Sequence, residues 1–123
     1  MDGQTLKLSE NDMTKITEEM IEMSYEVYFT KDQDIEPLLK IGMNESSAKM
    51  TMVWFEKMFS GELYKRTGSA FQIEWLLTKL YEEKDFNRLR SSLKSLNKYC
   101  DYYDFRPMVK VRNTIKTFEK KLM

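Results

Sequence analysis

Histidine is absent from these 123 residues, and cysteine occurs once, as Cys100. Without histidine there is no Ser-His or Cys-His nucleophile pair. A single thiol leaves neither a zinc cluster nor a disulfide framework. Prolines number two and glycines four, too few and too scattered for a loop that cradles phosphate. Net charge is lacking as well: 20 basic and 20 acidic residues cancel, so no overall field draws the chain to nucleic acid or to a membrane. The longest apolar run, residues 52–55, cannot cross a bilayer. The first eight residues lack the apolar core of a signal peptide. A lone thiol suits a reducing compartment, and a cytoplasmic location is expected. Asp32-Gln33-Asp34 begins like a calcium loop, but Pro37 stands where that loop needs glycine. Glu18 and Glu22 have no Glu-x-x-His partner for a di-iron site. The chain is therefore expected to be no enzyme, with no cofactor and no metal.

What is present is a core's worth of apolar side chains at helical spacing. Apolar residues make up 41% of the sequence, including 7 Phe, 7 Tyr and 2 Trp, consistent with one domain over residues 1–123. Met13, Ile16, Met20, Met23 and Val27 recur at three and four, predicting a first helix that starts at a Ser9 cap. A short second helix is expected over 34–40, with Pro37 in its first turn and Gly42 stopping it. A third runs from about 44–47 to Phe59, with Ala48, Met52, Phe55 and Phe59 on one face. Gly61 ends it, and 61–68 reads as a loop. Ser69 opens a fourth helix (Ala70, Ile73, Leu77, Leu80 inward). Asp85 caps a fifth (Phe86, Leu89, Leu93, Leu96, Cys100, Tyr103). Pro107 is the expected first residue of a sixth (Met108, Val111, Ile115, Phe118, Leu122). The fold class is all-α, a compact bundle of about six helices. The same seams leave a homodimer open as an alternative.

Neutrality conceals sorted charge. Residues 1–36 carry a net −7, residues 37–83 balance, and residues 84–123 carry +7. Arg90, Lys94 and Lys98 lie four apart on the fifth helix, and Arg112, Lys116 and Lys120 do so on the sixth. Six such cations are placed to meet a phosphate backbone, with binding that weakens in salt; a solvated face is the plainer alternative. Glu18, Glu22 and Glu26 form an acidic row on the first helix. That row either faces the cations of the sixth helix or imitates phosphate toward another protein. Residues 35–59 also read as a helix-turn-helix, with Asn44, Glu45, Ser46, Ser47, Lys49 and Met50 toward the major groove, although Glu45 opposes phosphate. Met43, Met50, Met58, Trp54 and Trp75 are either core or a protein-binding patch.

Four further words carry a likeness: Gly42-Met43, Ser46-Ser47-Ala48, Phe59-Ser60-Gly61-Glu62-Leu63-Tyr64-Lys65-Arg66, and Lys98-Tyr99-Cys100-Asp101-Tyr102-Tyr103. Over residues 41–103 the chain resembles the helical module N-terminal to predicted HNH-type restriction endonucleases of bacteria and phages. The resemblance implies an accessory, DNA-proximal role, with the Tyr64-Lys65-Arg66 loop as the first stretch to contact a backbone. The catalytic histidines of that family have no counterpart here. The expected function is a non-catalytic module acting on nucleic acid or on DNA-handling machinery through Lys65, Arg66, Arg90, Lys94, Lys98, Arg112 and Lys116. The alternative is a phage-type inhibitor of a host defence nuclease, of the anti-CRISPR or anti-restriction kind. It would act by protein contact through Glu18, Glu22, Glu26, Trp54 and Tyr64.

Overall fold

The computed structural model describes residues 16–104 and 107–123. The expected Ser9 cap and Met13 lie outside them. Six helices and no strand occur among the described residues: α1 (Glu18–Tyr28), α2 (Glu36–Lys40), α3 (Glu45–Ser60), α4 (Ala70–Glu82), α5 (Phe86–Tyr102) and α6 (Val109–Lys121). The chain divides into two compact units, and the boundary falls inside α3, between Val53 and Trp54.

In the first unit α1 packs on α2. Helix α1 starts at Thr17, whose hydroxyl accepts the Met20 N–H at 3.2 Å, so Ile16 precedes the helix instead of sharing its stripe. The buried face is Ile21, Ser24, Tyr25 and Val27, while Met20 and Met23 are half-buried. Ser24 explains the rotation from the expected methionine stripe. Its hydroxyl folds back onto the Met20 carbonyl (2.7 Å) and leaves room for the Met43 sulfur at 3.6 Å. Pro37 occupies the first turn of α2, where no N–H is needed. Gly42, at φ 105°, closes α2: its own N–H and that of Met43 donate to the Leu39 and Leu38 carbonyls.

The second unit is built on α4, α5 and α6, each packed against the other two. Its core contains Ile73, Leu76, Leu77, Leu80, Leu89, Leu93, Leu96, Cys100, Ile115 and Phe118, joined by Trp54, Phe55 and Met58 from the end of α3. Gly61 (φ 71°) repeats the glycine cap at the end of α3. Ser69 and Gln72 form a reciprocal capping box at the start of α4. Lys84 (φ 59°) ends α4, and the next residue, Asp85, caps α5 by accepting the Arg88 N–H. One expected boundary moves. Met108 adopts a left-handed conformation (φ 45°), which no helix interior accommodates, so α6 begins at Val109 and Pro107 lies outside it. Ile115 and Phe118 are buried as expected, whereas Met108, Val111 and Leu122 are half-buried.

Candidate functional site

Helix α5 carries the charge pattern with the clearest geometry. Leu89, Leu93, Leu96 and Cys100 form its buried stripe, which leaves Arg90, Lys94 and Lys98 exposed. Among the described residues none of these three takes part in an ion pair. They line a groove of about 510 Å³ with Leu93, Asn97 and Asp101 of the same helix and Glu119, Leu122 and Met123 from the end of the chain. The Asn97 amide donates to the Glu119 carboxylate at 3.1 Å. The groove thus has apolar lining, three cations from α5, and two carboxylates, Asp101 of α5 and Glu119 of α6.

The loop that follows α3 docks along α5. Ser95 donates its hydroxyl to the Glu62 carbonyl at 2.6 Å. A Cβ placed on Gly61 would come within 3.3 Å of the Lys94 side chain and 3.5 Å of the Ser91 carbonyl. Farther along, the Lys65 ammonium lies over the Tyr102 ring, 4.6 Å from its centroid. A hydrogen bond to Tyr102 is the main cause holding the Lys65 pKa above its ordinary value. Glu62 receives the Ser60 hydroxyl at 2.8 Å and Lys57 at 3.6 Å. Ser60 first, then Lys57, and more weakly Lys98, hold its carboxyl below the usual range. The segments 59–66 and 98–103 therefore meet in space.

The expected site residues separate accordingly. The structure brings together Arg90, Lys94 and Lys98 on α5, with Lys65 at the Tyr102 end of the same helix. Arg66 is exposed on the loop, and Tyr64 is half-buried there. Arg112 makes a structural contact: its guanidinium donates to the Cys100 carbonyl at 3.0 Å, satisfying an orphan acceptor in the last turn of α5. Lys116, one turn on, is exposed. Trp54, expected as either core or a partner contact, lies in the core. It is 2% exposed, and its indole N–H donates to the Thr67 hydroxyl at 3.0 Å, so the ring is a core element that staples the loop. Sequence reasoning missed Tyr102, although it stands four residues beyond Lys98 and continues the 90-94-98 spacing.

Elsewhere, of the polar residues assigned to a major groove, Asn44, Glu45, Ser47 and Lys49 are engaged locally. Asn44 caps α3 by accepting the Ser47 N–H at 2.7 Å, and Glu45 pairs with Lys49 at 2.7 Å. A hydrogen bond from Lys49 is the main cause lowering the Glu45 pKa. Met50 is exposed, and Met43 and Met58 are buried. Glu18, Glu22 and Glu26 are exposed and belong to no ion pair of the described residues; with Glu19 and Met23 they line a shallow recess. No helix of the described residues is long and apolar enough to cross a membrane, and no cluster of three His, Cys, Asp or Glu among them could hold a metal. No family model matches the chain, and neither does any curated protein or solved structure.

Proposed function

We propose that the protein is a non-catalytic helical binding module acting on nucleic acid or on DNA-handling machinery, with the α5 cation row as its contact surface. The observation that supports this reading is the exposure of Arg90, Lys94 and Lys98 at one-turn spacing, outside every ion pair of the described residues. Lysines on a solvated helix face are ordinary. Three cations held on a rigid helix, at the edge of a groove and backed by a docked loop, add fixed geometry to that charge. Each phosphate neutralised releases counterions, and three contacts on duplex DNA give an affinity that falls about 40-fold between 50 and 200 mM salt. Fluorescence anisotropy at those two salt concentrations tests the proposal. Lys94→Glu with Lys98→Glu is expected to flatten the salt dependence by about two contacts. Absence of binding even at low salt would remove nucleic acid as the partner.

The acidic row of α1 supports a second reading. Glu18, Glu22 and Glu26 repel one another at this spacing, by a few tenths of a kcal/mol per pair, and no described cation offsets them in an ion pair. A basic groove on another protein would. In that reading the chain occupies the phosphate-binding groove of a defence nuclease and inhibits it by contact. Recovery of a nuclease from a bacterial lysate, lost on Glu22→Lys and retained on Lys94→Glu, is the expected result; retention on Glu22→Lys would count against it.

A further inference from the structure

We infer that the α5 row receives a single nucleic-acid strand in preference to a duplex, with Tyr102 as the platform on which a base stacks. The inference rests on the phosphate-contact reading above and adds to it the form of the ligand.

Arg90, Lys94, Lys98 and Tyr102 occupy consecutive four-residue steps on one helix, each about 6 Å farther along its axis. The row turns by roughly 40° per step, so a strand that follows it crosses the helix obliquely. Three cations come first and an aromatic ring ends the series. That ring is 48% exposed, at a position where a soluble helix ordinarily shows a polar side chain. Its companions hold it in place: Tyr103 packs edge-on at 4.8 Å between centroids, and the Lys65 ammonium lies 4.6 Å over the ring. With the ammonium over one face, a half-exposed ring has only its other face to offer a base, and the cation adds a phosphate partner at the same point.

A duplex gains nothing from Tyr102, because its bases are already stacked and paired inside the helix. It would also bring a second phosphate ridge toward Glu119, which stands on the α6 side of the groove. A single strand avoids both costs. Its phosphates track the three cations and its bases remain free to turn onto the ring. This combination of a cationic track and an aromatic platform is the general solution for strands bound without sequence preference.

The test uses the full chain with four probes at 50 mM salt: a fluorescein-labelled oligothymidine, an oligouridine of equal length, a duplex of equal length, and polyglutamate as a competitor. Both single strands are expected to bind at least about tenfold more tightly than the duplex, with an affinity loss of about 20-fold on raising salt to 200 mM. Tyr102→Ala should weaken single-strand binding by about five- to a hundredfold, leave duplex binding unchanged, and be rescued by Tyr102→Phe, which keeps the stacking face. Far-UV circular dichroism verifies that the variants fold. Duplex binding as tight as single-strand binding, or a Tyr102→Ala variant of undiminished affinity, would overturn this inference while leaving phosphate contact intact. Displacement by polyglutamate as readily as by oligonucleotide would replace it with an acidic protein surface. No binding to any probe would overturn both readings together.

Discussion

The hydroxyl of Ser95 donates to the main-chain carbonyl of Glu62 at 2.6 Å, joining positions 33 apart in sequence. Ser95 is buried, and this bond ties the loop to the helix that carries the cation row. Ser95→Ala leaves the carbonyl without that donor, and a loss of about 1–2 kcal/mol is expected in urea unfolding. Faster proteolytic cleavage within 61–68 should accompany it. Stability unchanged to within a few tenths of a kcal/mol would show that the loop is held by other contacts.

Arg112 and Lys94 differ in kind although both are cations near α5. Arg112→Ala removes the donor to the Cys100 carbonyl and is expected to cost about 1–2 kcal/mol of stability. The salt dependence of oligonucleotide binding should not change. Lys94→Ala should do the reverse, with stability nearly constant and the salt slope reduced by about one contact. Thermal unfolding and anisotropy, run on both variants, distinguish structural from binding charge.

Lys84 adopts a left-handed conformation that its Cβ disfavours, at φ 59°. Glycine accepts that geometry without strain, so Lys84→Gly is expected to raise stability by about 0.5–1 kcal/mol. The side chain is exposed, and no packing is lost with it. A lower melting temperature for the variant would contradict this reading.

Cys100 is buried in the α5 stripe, and burial, the largest effect, pushes its thiol above the ordinary value of 9.0, against the nearby Arg112. A raised native pKa means that the unfolded chain ionises first. The contribution of this group to stability is therefore complete below about pH 9 and declines as pH rises through the native value. The thiol should resist maleimide at pH 8 in the folded protein and react promptly in urea. Rapid labelling under native conditions would refute its burial.

Features set by near neighbours were legible in the sequence. Gly42, Gly61, Ser69 and Asp85 each act within four residues, and each does in the structure what its residue type suggests. The six helices followed from such signals together with apolar spacing. Features set by distant partners were not legible. Ser24 makes room for a methionine 19 positions on. Trp54 is drawn inward by Thr67, and Arg112 by a carbonyl 12 positions back. At the candidate site the spacing of Arg90, Lys94 and Lys98 was visible, while the groove wall from Glu119 to Met123 arises only when α6 folds against α5.

The direct succession of Lys84 and Asp85 has a mechanical consequence. With only Glu83, Lys84 and Asp85 between the end of one rod and the start of the next, each of them taken up in a cap, the α4–α5 corner behaves as a welded elbow. A fluorophore attached at exposed Glu82 and another at exposed Asn87 should keep a constant separation under conditions that loosen the rest of the chain. Even one inserted glycine at that corner would set α5, and every charge mounted on it, at a new angle.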